Sequence, residues 1–84
     1  MPYFTYILFS QKLNKYYIGS CEHVEIRLNQ QHNAGRNIST KAGIPWEVKY
    51  TETFATRAEA MKRETEIKNK KSRKYIEWLI SALG

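Results

Sequence analysis

Residues 16–32 read YYIGSCEHVEIRLNQQH, and this stretch predicts how the rest of the chain is arranged. Its first part, residues 16–20, is rich in aromatic and β-branched side chains and is typical of a strand. Its second part predicts a helix over about residues 24–33, with Gly35 as a plausible stop. We interpret the other segments by their relation to this tyrosine-rich strand and to the helix that follows it. The first turn of that helix carries Arg27.

Two further strands are predicted from composition and alternation. Residues 3–9 contain no Gly or Pro and carry bulky side chains on both faces, as expected for a strand that is covered on both sides. The polar residues 10–15 between the first two strands predict a hairpin turn. Residues 46–54 alternate in polarity and predict a third, half-buried strand. The side chains predicted on its buried face are Trp46, Val48 and Tyr50.

Two further helices are predicted by their capping signals. Thr56 followed by Glu59 is the signature of a capping box, and the helix that it opens continues to about Asn69. Ser72 is predicted to cap a last helix, which packs its apolar stripe on the sheet. The members of that stripe are Tyr75, Ile76, Leu79, Ile80 and Leu83. The predicted order of elements is therefore β-β-α-β-α-α.

Composition restricts the class of protein. A chain of 84 residues has the size of one domain, and we treat residues 1–84 as a single unit. The formal net charge of +6 favours a polyanionic partner such as nucleic acid without deciding the function. Cys21 is the only cysteine, which excludes an internal disulfide and suits a reducing compartment. Because no segment has the length and apolar character of a bilayer span, we expect a soluble cytoplasmic protein without a membrane role.

Glu64 has an unexpected position in the predicted second helix. At 100° per residue, with Ala60 as origin, it falls at about 40°, between Ile67 at about −20° and Met61 at about 100°. The carboxylate is thus predicted on the face that points at the sheet. There it needs a cation, a metal ion or a hydrogen-bond network as partner. From the residues alone, a structural ion pair is the more common explanation.

Three other side chains are candidates for chemistry. Tyr6 and Tyr17 are predicted on neighbouring antiparallel strands, where they can face each other across the hairpin. Such tyrosines are usually core residues, although a phenol also acts as a base when nearby cations lower its pKa. Arg27 is predicted at the margin of the buried helix face, where its guanidinium suits a phosphate. A solvated surface arginine is the alternative.

Several further residues carry weaker signals. His32 ends the first predicted helix, where an imidazolium is favourable at the C-terminus. Gly19 near the end of a strand indicates a close approach of backbone or ligand. Cations in the loop and on the later helices are usually a solvated face, but they also suit nucleic-acid phosphates. The candidates for DNA contact are Arg36, Lys41, Lys68, Lys71 and Arg73.

The order and spacing of these residues resemble the GIY-YIG nuclease superfamily. Tyr17-Ile18-Gly19 begins eleven residues after Tyr6, Arg27 lies eight residues after the glycine, and Glu64 follows on a later helix. The resemblance covers almost the entire chain and is closest to small stand-alone bacterial members. The other segments typical of that subgroup are Gly43-Ile44-Pro45-Trp46 and Glu66-Ile67-Lys68.

The resemblance implies an α+β fold, in which helices flank a small three-stranded antiparallel sheet with the site on its face. Glu64 would hold one divalent ion, Mg²⁺ or Mn²⁺, against the scissile phosphate. Tyr6 and Tyr17 would lie beside the attacking water, one of them as general base or positioning group. Arg27 would neutralise charge developing on the phosphoryl oxygens. DNA would be bound by the chain's own basic surface or with the help of a protein partner. A role in DNA repair is implied only at the level of the family.

The chain departs from the family pattern in three places. Its first motif is Phe4-Thr5-Tyr6, which keeps only the tyrosine. Many members carry a histidine four residues after the arginine, about 40° round the helix, whereas His32 lies five residues on, about 140° round. On a regular helix Gln31 would take the expected place and His32 would point elsewhere. Ile76 stands where larger members have an asparagine.

The sequence therefore favours a hydrolase: a metal-dependent endonuclease acting on phosphodiester bonds in DNA. The alternative is a nucleic-acid-binding module with the same fold and little or no turnover, which the altered first motif and the shifted His32 favour. A third option is a protein-interaction domain in which the site tyrosines are core residues. Salt-dependent DNA binding distinguishes the first two from the third.

Overall fold

The computed structural model describes residues 2–35 and 40–83, apart from the side chains of Gln30, Gln31 and Leu83. Its three strands are β1 (Tyr3–Ser10), β2 (Lys15–Cys21) and β3 (Trp46–Phe54). They form one antiparallel sheet in the order β2-β1-β3. The predicted α+β fold and the order β-β-α-β-α-α are confirmed. Nowhere in these described ranges is there a helix long and apolar enough to cross a membrane.

The helices begin and end close to the predicted residues. The helical elements are α1 (Val24–Arg27), a π-helical turn (Leu28–His32), a 3₁₀ turn (Lys41–Gly43), α2 (Arg57–Lys70) and α3 (Arg73–Leu83). The capping box is present, because the Glu59 N–H donates to Thr56 Oγ1 at 3.2 Å. Ser72 caps α3 by accepting from the Tyr75 N–H, also at 3.2 Å. Gly35 has a φ of 76°, the left-handed conformation expected of the predicted stop.

The sheet separates two apolar clusters. The cluster on the side of α2 and α3 consists of Ile7, Ile18, Tyr50, Ile67 and Leu79. The cluster on the side of α1 and the π-helical turn consists of Tyr6, Leu8, Cys21 and Trp46. Because β1 is the central strand, its alternate side chains enter both clusters, which explains why residues 3–9 lack a polar face.

Strand β3 carries an irregularity that the polarity pattern did not predict. Ile7 of β1 pairs with Tyr50, whereas the next residue, Leu8, pairs with Val48, so Lys49 is an extra residue in β3. Such a bulge reverses the face to which the following side chains point. Tyr50 therefore packs with α2 and α3, while Val48 packs on the opposite face. The prediction that these two side chains share one buried face is wrong.

Candidate active site

The candidate residues meet at β2, which forms an outer edge of the sheet. Tyr17 belongs to the face covered by α1 and the π-helical turn, whereas Ser20 contacts α2 on the other face. Successive side chains on a strand alternate between faces, so β2 supplies groups to both. Within the part of the chain that the structure describes, no strand pairs with the outer side of β2, so groups that reach over this edge from either face come together there.

Tyr6 reaches the edge across Gly19. The two residues are paired between β1 and β2, and the Tyr6 side chain is 2% exposed. A Cβ built on Gly19 would lie 2.6 Å from Cζ of Tyr6, closer than real Cβ atoms approach. A group does approach Gly19 closely, but it is the phenol side chain of Tyr6 and not the backbone or ligand that was predicted. Any larger residue at this position would push the Tyr6 hydroxyl away from the edge.

Tyr6 is the first member of a buried hydrogen-bonded chain. Its hydroxyl is bonded to His32 Nε2 at 3.0 Å, and His32 Nδ1 is bonded to Thr40 Oγ1 at 2.9 Å. His32 is 1% exposed and Thr40 is fully buried. A neutral imidazole has one donor and one acceptor nitrogen, so the protons along this chain point in one direction. Thr40 is not among the predicted site residues, because no local sequence pattern relates it to a histidine eight residues earlier.

His32 reaches Tyr6 because the first helix is not regular. The Asn33 N–H donates to the Leu28 carbonyl at 2.7 Å, and this bond between residues five apart defines a π-helical turn. The wider turn takes up the additional residue between Arg27 and His32, so that His32 returns to the face it would occupy one residue earlier in an α-helix. The prediction that His32 points elsewhere applied to a regular helix, and this condition is not met. The side chain of Gln31 lies outside the described residues.

Trp46 anchors Asn33, the residue after His32, and Thr40, the residue bonded to the His32 ring. Its backbone N–H donates to Asn33 Oδ1 at 2.6 Å, and Asn33 Nδ2 donates back to the Trp46 carbonyl at 3.1 Å. The indole Nε1 of Trp46 donates to the Thr40 carbonyl at 2.6 Å. The start of β3 thus fixes the residue after the π-helical turn and the hydroxyl partner of His32. This sharing of one anchor restricts the orientation of the imidazole.

Tyr17 lies beside His32 but does not face Tyr6 directly. In the hairpin register Tyr17 pairs with Leu8, two residues further along β1 than Tyr6, so the predicted direct pairing is wrong. The tyrosines are diagonal neighbours on the same face. The Tyr17 and His32 ring centroids are 4.9 Å apart. Tyr17 therefore packs against the imidazole, whereas Tyr6 bonds to it.

Arg27 lies at the margin of the helix face, as predicted, and is half-buried. It lines a depression of about 240 Å³ at the β2 edge. The other residues lining this depression are Tyr3, Ser20, Cys21, Arg57, Ala60 and Met61. Two arginines in one polar depression make it suitable for an anion such as a phosphate group.

Glu64 approaches the same edge from α2. Ser20 Oγ donates to Glu64 Oε1 at 2.7 Å, and Lys68 Nζ donates to Oε2 at 2.6 Å. The Glu64 side chain is 21% exposed. Its helix neighbour Met61 is 52% exposed, so Glu64 lies at the border of the buried stripe and not within it. The predicted need for a partner is confirmed, and the partners are a hydroxyl and an ammonium group.

The pKa of Tyr6 depends on burial and on the charges of neighbouring site residues. Burial raises the pKa of Tyr6 well above the ordinary value for a phenol, Cys21 and Tyr17 raise it further, Arg27 lowers it and Glu64 raises it. Tyr6 therefore carries its proton at neutral pH. The charges of both Arg27 and Glu64 act on this one hydroxyl, although they come from opposite faces of the sheet.

His32 is expected to make the stability of the protein depend on pH. Burial, and then the Arg27 charge, lower the pKa of His32 below its ordinary value of about 6.5. Between about pH 6.5 and the lower folded value, the unfolded chain binds a proton that the folded chain does not. The free energy of unfolding should therefore fall as the pH decreases, by up to about 1.4 kcal/mol per pH unit. The stabilisation that comes from neutral His32 should be fully present above about pH 6.5.

Urea unfolding of the parent and of His32→Gln at several pH values between 5 and 8 measures this effect. The parent should lose more stability than the variant as the pH falls, because glutamine does not titrate. Equal slopes for the two proteins would show that His32 takes up its proton as readily in the folded state as in the unfolded chain.

The predicted DNA-contacting cations are only partly brought together. Lys68, Lys71 and Arg73 line a groove of about 260 Å³ between β2 and the junction of α2 with α3, which also contains Lys15. Arg73 is engaged with the hairpin turn, donating to the carbonyl and Oδ1 of Asn14 at 2.7 Å each. Lys41, a further predicted contact, lies exposed on the 3₁₀ turn and does not line this groove, and the predicted contact Arg36 lies outside the described residues.

A divalent ion would have one protein carboxylate at this edge. Within residues 2–35 and 40–83, no group of three or more His, Cys, Asp or Glu side chains is arranged to hold a metal ion. Glu64 nevertheless suits a hard cation such as Mg²⁺, which is often bound by one or two carboxylates and keeps several waters. Ser20 orients one Glu64 oxygen, and Lys68 already balances the charge of the other.

Comparisons with known proteins give a family match and a similar solved structure. The family model for the GIY-YIG catalytic domain matches residues 2–76. A UPF0213 protein from Bacillus halodurans, solved by solution NMR, is similar in structure, with a TM-score of 0.60 and 28% sequence identity. The similarity covers 98% of this chain and 85% of the Bacillus protein. No curated protein matches the sequence.

Proposed function

The chain belongs to the GIY-YIG family, and from this membership we propose that it is an endonuclease that hydrolyses phosphodiester bonds in DNA with a divalent ion, Mg²⁺ or Mn²⁺. The observation that carries the proposal is that Arg27 and Ser20 line one depression at the β2 edge, where the Ser20 hydroxyl donates to Glu64. Phosphodiester hydrolysis needs an activated oxygen and stabilisation of the charge that develops on phosphorus-bound oxygens. At this edge the hydrogen-bonded pair of Tyr6 and His32 can accept a proton, and Arg27 and Glu64 supply a guanidinium and a carboxylate.

Tyr6 and His32 act together on the attacking water. The water gives a proton to Tyr6 Oη while the Tyr6 proton passes to His32 Nε2, and the resulting hydroxide attacks the phosphorus. The P–O bond to the leaving nucleotide oxygen breaks, and that oxygen takes up a proton from solvent water. Neutral His32 has a free lone pair at Nε2 when its Nδ1 proton is donated to Thr40. The lowered pKa of His32 keeps the imidazole in this accepting form at neutral pH. We assign the base role to Tyr6 over Tyr17 because Tyr6 has the hydrogen bond to His32.

Glu64 and Arg27 act on the negative charge that develops on the phosphoryl oxygens, Glu64 through the divalent ion and Arg27 directly. Glu64 holds the divalent ion, with Ser20 orienting one carboxylate oxygen. When bound, the ion supplies Lewis-acid stabilisation of a phosphoryl oxygen. Arg27 lies in the same depression as Ser20 and neutralises charge on the phosphate. Lys68 and Lys71, in the adjoining groove, contact the nucleic-acid backbone, with a protein partner as a further source of targeting.

Two observations support the nuclease over the binding-module alternative. The altered first motif places Thr5 where the family has isoleucine, and Thr5 is fully buried on the α2 face. Its hydroxyl donates to the Ala60 carbonyl at 2.6 Å, which fastens β1 to α2 without touching the Tyr6 face. His32, whose spacing also favoured the alternative, is bonded to Tyr6 through the π-helical turn.

Removal of the divalent ion tests the proposal. The protein is incubated with supercoiled plasmid and with branched DNA in Mg²⁺ or Mn²⁺, with and without an excess of EDTA. Cleavage should be lost in EDTA and return on adding Mn²⁺, because removing the ion takes away the Lewis acid that stabilises charge on the phosphoryl oxygen. Undiminished cleavage in EDTA would contradict the metal dependence. Salt-dependent binding without cleavage of either substrate would instead establish the binding module.

A further inference from the structure

Lys68 occupies a position that a divalent ion also requires. Its Nζ lies 2.6 Å from Glu64 Oε2, while Ser20 occupies Oε1. Both oxygens of the carboxylate are therefore engaged before a metal ion arrives. The Ser20 hydroxyl is uncharged and leaves lone pairs on Oε1, whereas the Lys68 ammonium repels a second cation.

The two partners of Glu64 differ in how easily they are displaced. Ser20 is fixed on strand β2 and is half-buried. The Lys68 side chain is 50% exposed and is attached to α2 by a long flexible stem. An exposed ion pair between residues four apart on a helix contributes little to stability, so Lys68 can leave Glu64 at small cost.

The Lys68 ammonium can also turn toward a groove beside Glu64. It lines the basic groove together with Lys15, Lys71 and Arg73, next to Glu64. A nucleic-acid phosphate in this groove would offer Lys68 a new anionic partner. The Glu64 oxygen vacated in this way would then be open to a divalent cation.

We propose that Lys68 is an internal counter-ion that competes with the divalent ion for Glu64 until a nucleic-acid phosphate draws it away. Lys68 is a positioning residue in this proposal, because it acts through Glu64. Metal and nucleic acid consequently bind cooperatively, and the protein without nucleic acid holds its metal weakly. The inference rests on the proposed function, since it concerns occupancy of the same carboxylate.

Metal binding without nucleic acid tests the first half of this proposal. Mn²⁺ is titrated into the full chain and the free ion is measured by electron paramagnetic resonance. The Kd should fall about three- to tenfold in Lys68→Gln, because the variant loses both the competing ion pair and the repulsion by a nearby positive charge. Lys68→Arg should resemble the parent, and Lys68→Met is the second neutral variant if Lys68→Gln folds poorly.

Two matched variants identify the site. Lys62→Gln makes the same change in net charge at an exposed position of α2 and should leave the Kd unchanged. Glu64→Gln should remove the binding altogether. Binding that requires Glu64 but is not tightened in Lys68→Gln overturns the inference and leaves the proposed nuclease intact. Absence of Glu64-dependent binding overturns the inference and the metal role of Glu64 together, and the cleavage assay then judges the nuclease separately.

Cooperativity tests the second half. A fluorescent DNA oligonucleotide with phosphorothioate linkages, which resist hydrolysis, is titrated with protein in the presence and absence of Mn²⁺. By thermodynamic reciprocity, the ion should strengthen DNA binding by the same factor by which DNA strengthens ion binding. That factor should be smaller in Lys68→Gln than in the parent. An equal factor in the two proteins would overturn the coupling.

Discussion

Replacing Glu64 with glutamine is expected to lower the rate of DNA cleavage by about a thousandfold or more, equivalent to about 4 kcal/mol of transition-state stabilisation. Glutamine keeps the size of the side chain and can still accept from Ser20, but it lacks the charge that holds a divalent ion. The fold should remain, because Glu64 is at the border of the buried stripe and the ion pair with Lys68 is exposed. Cleavage rates are compared on plasmid DNA under single-turnover conditions.

Glu66→Gln is the matched control for this variant. Glu66 lies on the same helix, and its carboxylate accepts from Arg63 at 3.4 Å, away from Ser20 and Lys68. The change in net charge is identical, so the rate should stay close to that of the parent. Equal loss in both variants would attribute the effect to overall charge. Equal activity of Glu64→Gln and parent would mean that the cleavage comes from a different site or a contaminant.

Tyr6→Phe is expected to lower the cleavage rate by about a hundred- to ten-thousandfold, the usual range for losing a positioned general base. The ring remains packed in its cluster, so the substitution removes little more than the hydroxyl. His32 Nε2 then loses its partner in a buried position. Stability should fall by about 1–3 kcal/mol, the typical cost of an unsatisfied buried polar group. Single-turnover cleavage and urea unfolding measure the two effects separately.

Tyr50→Phe provides the comparison for a structural effect of removing a buried phenol. Tyr50 also lies on a strand and is 8% exposed, but it belongs to the opposite face and its hydroxyl donates to Glu52. It should keep the parent cleavage rate whatever its stability. Tyr17→Phe tests the competing assignment, in which Tyr17 is the general base. If Tyr17→Phe abolishes cleavage and Tyr6→Phe does not, the base is Tyr17 and the bond between Tyr6 and His32 is structural.

Local chemistry explains why much of this fold is predictable from the sequence. The capping box at Thr56, the cap at Ser72 and the left-handed Gly35 each depend on contacts within a few residues. The close approach at Gly19 is predictable for a related reason, because an interior glycine in a strand leaves a space for a neighbouring group. Glu64 is identifiable as unusual from helical spacing alone, since a carboxylate near a buried face needs a partner.

The sequence by itself thus determined the elements, their order, and the four residues Tyr6, Tyr17, Arg27 and Glu64 as candidates for one site. Only the tertiary structure decided how they are connected. The π-helical turn that directs His32 to Tyr6 and the bulge that moves Tyr50 to the other face are choices of backbone register, which packing on the sheet selects. The partners of Glu64 also depend on the fold, because the Ser20 hydroxyl lies 44 residues earlier in the chain. Periodicity indicates which side chains are buried, but only the assembled sheet brings distant groups within hydrogen-bond distance.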